Sequence, residues 1–199
     1  MKMNQKPIPK KKPVDWDRIR ERLAAEADAE GLIDVAVERH DSPLGPLLLA
    51  ATGTGLVRVG LPADDDEEVM AELAERISPR VLMAPRSTLT AARRQLDEYF
   101  QGDLRIFDVE LDWRLANGFR RDVLAATSHI PYGRTGTYST VATEAGSPAA
   151  VRAAGTALAT NPVPIVIPCH RVLRSDGGLG NYRGGPEAKR RLLELEGAI

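Results

Sequence analysis

Asn161-Pro162-Val163-Pro164-Ile165-Val166-Ile167-Pro168-Cys169-His170-Arg171-Val172 is the run from which the rest of this chain can be interpreted. It contains the only cysteine among 199 residues, followed at once by an imidazole and a guanidinium. A lone cysteine without disulfide partners is most often a small buried hydrophobe. Its neighbours argue for chemistry instead. Only the thiolate attacks, and a nearby positive charge or proton-accepting histidine raises its fraction; Arg171 and His170 supply both. Pro162, Pro164 and Pro168 fix φ and lack an N–H, so the run is expected to be a rigid extended segment. Adjacent residues of an extended chain point to opposite faces. Either the chain turns at Cys169, or His170 reaches the sulfur through a water.

Upstream of this run the pattern is helical. Phe119 to Ser128 reads as a helix ending before the turn Ile130-Pro131-Tyr132-Gly133, and Ser139 to Ala145 as a short one stopping at Gly146. Ser147 offers an N-cap with Pro148 at the first helical position, which predicts a helix over Pro148 to Ala159. Helix, glycine turn, helix is the outline of a helix-turn-helix. In the second helix Val151, Ala154 and Leu158 form a stripe that can pack inward, while Ala149, Arg152, Ala153 and Thr156 occupy the opposite face. One guanidinium among small side chains lets a backbone come close to its partner while the arginine projects beyond it. The same pattern also suits a plain surface arginine on an alanine-rich helix.

The first half carries no chemical motif. Residues 1–13, with five lysines and three prolines, cannot bury a core and are expected to form a flexible tail. Trp16, Ile19 and Leu23 recur at helical spacing. Ile33 to Glu38, Leu47 to Ala51 and Leu56 to Leu61, separated by Pro/Gly turns, predict a three-stranded meander. Helices are expected at Glu67 to Ile77 and Leu89 to Phe100, and a further strand at Ile106 to Leu111. The division is a tail and short helix over 1–30, an α/β domain over 31–114 and a second domain over 115–199.

Composition narrows the classes further. A hydrophobic fraction of 43% with 28% charged residues is that of an ordinary globular protein. One cysteine excludes a disulfide framework, three histidines allow no zinc cluster of usual spacing, and neither a membrane span nor a secretory pattern is seen. The expected location is the cytoplasm, with no membrane partner and no metal. Net charge is -1, yet residues 115–199 hold 10 Lys and Arg against 6 Asp and Glu, and the first 114 hold 17 against 22. Such asymmetry suits a C-terminal half facing a polyanion, or two solvated surfaces that differ.

Taken together, the Asn161–Val172 run, the helix-turn-helix and the Leu195-Glu196-Gly197 ending resemble the O6-alkylguanine-DNA alkyltransferases. The resemblance is specific from Phe119 to Gly197 and architectural before that. It implies a small antiparallel α/β sheet domain, ribonuclease H-like, followed by a mostly helical domain with a helix-turn-helix. It also implies a repair protein that flips O6-alkylguanine, mainly O6-methylguanine, out of duplex DNA and moves the alkyl group irreversibly onto its own cysteine. O4-methylthymine is left open as a second substrate. No cofactor is implied, and the partner is double-stranded DNA bound by a monomer, with or without cooperativity.

By the same resemblance Cys169 is the alkyl acceptor, His170 its general base through a water, and Glu196 the carboxylate that polarises the histidine. Asn161 is the hinge that bonds the backbone around the cysteine, and Tyr138 the proton donor to the departing base. Arg152 is a finger entering the minor groove, with Tyr138, Ala153 and Thr156 also placed on DNA. Val172, Asn181, Tyr182 and Arg183 line the base pocket. Arg183, Ser139 and Leu124 depart from the family pattern, the last two as packing variations. A DNA-binding module without chemistry lacks a use for Cys169. A Cys-His-acid hydrolase would need an oxyanion hole, a redox sensor a resolving cysteine, and a transcriptional regulator a helix built for base readout.

Overall fold

The computed structural model describes residues 15–199; the tail expected over 1–13 lies outside the described residues. Helix α1 (Trp16–Ala29) begins where the Asp15 carboxylate accepts the Arg18 N–H. The expected meander follows as β1 (Val35–His40), β2 (Leu47–Ala51) and β3 (Leu56–Gly60), antiparallel throughout. Helix α2 (Asp66–Arg76) then leads to β4 (Val81–Met83), which pairs with β1 in parallel. The order β3-β2-β1-β4 therefore makes a mixed sheet rather than the antiparallel one expected. Three residues are too few to show an alternation, so β4 left no pattern in the sequence.

The sheet is covered on both faces, which explains why every residue of β2 and β3 is buried. Leu47, Leu49 and Ala51 face α3 (Ser87–Phe100) through Leu89, Ala92 and Leu96, while Leu48 and Ala50 face Val69 and Leu73 of α2. The strand expected at Ile106 to Leu111 is reduced to a single bridge from Leu111 to Leu56. Buried Gln95 accounts for this. Its amide donates to the Asp108 carbonyl at 2.8 Å and accepts the Asp108 N–H at 2.7 Å, taking the place of a strand partner.

After a 3-10 turn at Trp113–Leu115, the C-terminal part runs α4 (Phe119–Ser128), β5 (Gly136–Thr137), α5 (Tyr138–Glu144), α6 (Val151–Ala159), β6 (Val172–Leu173) and α7 (Gly185–Leu195). Thr137 and Thr140 form a capping box at the start of α5. Gly146, at φ +78°, ends it, with the Ser147 N–H returning to the Ala142 carbonyl at 2.9 Å. Helix α6 starts at Val151, three residues later than expected, because Ser147 is used in a turn: its carbonyl accepts the Ala150 N–H at 2.9 Å. Val151 is 36% exposed instead of packing inward, and the buried stripe is Ala154, Ala157 and Leu158. Leu124 is fully buried and Ser139 exposed at the start of α5.

One hydrophobic cluster spans both halves, joining Leu49, Leu56 and Leu96 to Val123, Leu158, Ile165, Ile167 and Cys169. Strand β3 lies at the seam, where the Val59 N–H donates to the Pro162 carbonyl at 2.8 Å. No helix among the described residues is long and apolar enough to cross a membrane.

Candidate active site

The proline-rich run is a compact turn, not the extended segment that its prolines suggested. Asn161, at the end of α6 and 1% exposed, organises it. Its Oδ1 accepts the Val163 N–H at 3.0 Å, and its Nδ2 donates to the Ile167 carbonyl at 3.0 Å and to the Cys169 Sγ at 3.2 Å. To close this loop Ile165 adopts φ +74°, a left-handed conformation that a β-branched residue resists. Its side chain is fully buried. That burial contributes about 2 kcal/mol, enough to offset a left-handed cost of about 1–2 kcal/mol. Cys169–Arg171 then forms a single 3-10 turn, so the chain does turn at the cysteine.

Cys169 is 5% exposed. Burial pushes its thiol up to about 11, although the Asn161 amide and the nearby Lys189 charge both act to lower it. His170 is wholly buried, and burial depresses its pKa against the pull of Glu196, which keeps the ring neutral. Its Nε2 lies 2.9 Å from Glu196 Oε1, and its Nδ1 is buried without a partner among the described residues. With Nε2–H assigned to the carboxylate by this network, Nδ1 is left as the acceptor.

Glu196 is the hub. Burial alone would raise its carboxyl, but hydrogen bonds from His170, Arg171 and Tyr99 hold it down at about 2. Arg171 grips it with Nε at 2.8 Å and a terminal nitrogen at 2.9 Å, and also donates to the Ile130 carbonyl at 2.6 Å. Arg171 is therefore committed to Glu196 and does not supply the positive charge at the thiol. That charge comes from Lys189, a residue sequence reasoning missed. It is fully buried, donates to the Val172 carbonyl at 2.6 Å, and is lowered by burial to about 8. Tyr99 was missed as well; its hydroxyl reaches from α3 to Glu196 Oε1 at 2.6 Å. A signal for Lys189 existed. Lys189, Leu192, Leu193 and Glu196 fall at i, i+3, i+4 and i+7, placing two charges on the apolar stripe of α7.

The DNA-facing candidates gather around an open groove of about 460 Å³ that includes Tyr138, Arg152, Gly155, Thr156, Arg174 and Asn181. Arg152, Ala153 and Thr156 are exposed on α6. Tyr138 lies across this helix at Gly155, where an added Cβ would already touch its ring at 3.7 Å, and burial pushes its phenol up. Gly180 comes closer still: a Cβ there would lie 2.6 Å from the Tyr138 hydroxyl. Tyr182 stands edge-on to His170, ring centres 6.4 Å apart, with its hydroxyl buried and without a partner among the described residues. Arg183 pairs with Asp64 of the N-terminal half at 2.6 Å. A larger surface cavity of about 610 Å³, beside Asp34, Arg86 and Arg114, touches none of these residues.

Two family models match the chain. The 6-O-methylguanine DNA methyltransferase ribonuclease-like domain matches residues 35–113, and the DNA binding domain of the same family matches residues 118–198. A Mycobacterium tuberculosis methylated-DNA–protein-cysteine methyltransferase is 41% identical over 156 residues, covering 78% of this chain and 88% of the relative. The chain belongs to the 6-O-methylguanine DNA methyltransferase family. As a member of this family it joins a ribonuclease-like domain to a DNA-binding domain with a helix-turn-helix, the two-part fold class expected from the sequence. The M. tuberculosis O6-methylguanine methyltransferase crystal structure superposes with a TM-score of 0.69 at 38% identity, covering 82% of this chain and 93% of that one. M. tuberculosis OGT in complex with DNA gives 0.66 at 38% identity, covering 82% and 92%.

Proposed function

We propose that this methyltransferase repairs O6-alkylguanine in duplex DNA, mainly O6-methylguanine, by extruding the nucleotide and moving the alkyl group irreversibly to Cys169. The observation that carries this reading is the position of the thiol. Cys169 lies directly behind the helix-turn-helix, tied to the end of α6 by Asn161, so that the helix presenting Arg152 to DNA and the sulfur form one rigid piece. The O6 substituent is inside a stacked duplex, and unstacking it costs roughly a few kcal/mol. Arg152, exposed among small residues on α6, fills the space left behind.

Chemistry then runs through the buried network. A water passes the thiol proton to Nδ1 of neutral His170, and Glu196 stabilises the imidazolium that results. Sulfur attacks the alkyl carbon in line; the S–C bond forms as the C–O6 bond breaks. Tyr138 protonates the departing guanine and regains a proton from solvent, while the His170 imidazolium releases its own to solvent, so the net change is the thiol proton moved to the base. The carbonyl of Val172 and the loop of Asn181 and Tyr182 hold the guanine edge. The thioether has no route back to a thiol, and each molecule acts once. O4-methylthymine offers the same alkyl–oxygen bond on a smaller base and is the second substrate to test.

The work divides near residue 115, with catalysis and DNA contact in 115–199 and support from 31–114, a division favoured by the two family matches. All the site residues come from one chain, so a monomer suffices for each lesion. The compartment is the one that holds the DNA, the cytoplasm in a cell without a nucleus. The deciding experiment mixes the protein with a duplex carrying O6-methylguanine and weighs its tryptic peptides. One methyl group on the Cys169 peptide, saturating at one per molecule, is expected; repeated turnover or an unmodified cysteine overturns the reading.

A further inference from the structure

The loop from Gly180 to Gly184 passes beside the active site. Cys169 is only 5% exposed, and Tyr182 of this loop stands edge-on to His170 and within electrostatic reach of the Cys169 sulfur, which places the loop to control access to the thiol. Its C-terminal end is fastened to the other domain. Arg183 Nε donates to Asp64 Oδ1 at 2.6 Å across 119 residues of sequence. Asp64 sits in the turn after β3, with a side chain only 8% exposed. Its second oxygen accepts the Leu61 N–H at 3.0 Å and faces Arg58, 1% exposed, at 3.5 Å. Gly184 rests on the same turn: a Cβ there would lie 3.1 Å from Leu61 and 2.9 Å from the Tyr182 ring.

We propose that Arg183 is a positioning latch, holding the Tyr182 loop shut through Asp64 and Arg58 and thereby setting how large an alkyl group reaches Cys169. This rests on the function proposed above. The physical case is directional. Asp64 is preorganised by the Leu61 N–H and by buried Arg58, which Asp64 shares with Glu72, 3.6 Å from its Nε. Arg183 is the more exposed member of the pair, its side chain 30% accessible against 8% for Asp64, so it is the member that can let go. A methyl group needs a small opening of the loop. A benzyl group needs a wide one and must break the pair.

Iodoacetamide, small and uncharged, reads the opening without DNA. Its rate with Cys169, followed across pH to separate opening from thiol pKa, is expected to rise about fivefold in Arg183→Ser and Asp64→Asn, the scale of a partly exposed ion pair. Arg183→Lys should stay within about twofold of wild type. Transfer from O6-benzylguanine relative to O6-methylguanine in duplexes should rise in the same two variants by roughly threefold or more. An unchanged trapping rate and an unchanged ratio in folded Arg183→Ser overturn the latch. Should that variant not fold, the wild type decides: trapping should speed up between about 0.05 and 1 M NaCl, and a flat response overturns the proposal. Failure of wild-type methyl transfer would instead reject the proposed function, while iodoacetamide would still judge the latch alone.

Discussion

Cys169 rests as a thiol. With its pKa pushed up to about 11 by burial, only about one molecule in ten thousand is ionised at neutral pH. Under the single-use mechanism proposed above, a thiol that rests protonated is protected, because stray electrophiles find it unreactive. Without DNA, iodoacetamide trapping should climb about tenfold per pH unit from 7 and level off near 11. Repair of duplex should behave differently, staying flat between about pH 7 and 9 because neutral His170 takes the proton. Parallel profiles would remove His170 from the relay. Lys189→Met should raise the thiol pKa further and slow methyl transfer about tenfold, since it deletes a buried cation near the sulfur and frees the Val172 carbonyl. Asn161→Ala should cost about 1–3 kcal/mol in thermal unfolding and slow transfer by one to two orders of magnitude, because three hydrogen bonds close the turn around Cys169. At this scale the sequence was legible where the motif is local. Cys169, His170 and Asn161 lie within ten residues, whereas Tyr99 reaches Glu196 from 97 residues away and leaves no local trace.

Among the elements, α6 bears most directly on DNA. Arg152→Ala is expected to slow repair of duplex by one to two orders of magnitude while changing reaction with free O6-benzylguanine less than about twofold, since only the duplex leaves a gap to fill. Equal losses on both substrates would reject the finger role. Most elements could be anticipated because strand alternation and helix stripes are themselves consequences of burial. The misses have separate physical causes. Gln95 captured Asp108 and prevented a strand, β4 is too short to carry a period, and Ser147 closed a turn in place of capping α6. The prolines of the Asn161–Pro168 run do keep it out of a helix. What they could not reveal was the fold-back, because it is closed by the Asn161 side chain and by burial of Ile165, neither of which is a backbone preference.

Across the whole molecule the N-terminal domain acts as a buttress. It meets the active-site half at Val59 against Pro162, at Asp64 against Arg183 and at Tyr99 against Glu196. The last contact has a distinct pH signature. Glu196 is held at about 2 against an ordinary 4.5, so its network contributes stability that is fully present above pH 4.5 and lost as pH falls through 2. Tyr99→Phe removes one donor to the charged carboxylate, a bond worth about 1.5–3 kcal/mol, which for a protein of this size corresponds to a melting temperature lower by about 3–10 °C at pH 7. The sign follows from linkage. With one donor gone the carboxyl is depressed less, so the variant has less to lose on acidification, and its gap from wild type should narrow steadily between about pH 4.5 and 2. A gap that stays constant over this range would mean the hydroxyl acts only by packing. Transfer to Cys169 should also slow in Tyr99→Phe, by about three- to tenfold, because a carboxylate less firmly fixed holds His170 less well in the tautomer that leaves Nδ1 free. Thermal unfolding and single-turnover transfer on the same variant thus test together whether the ribonuclease-like domain is a passive partner or completes the base that activates the thiol.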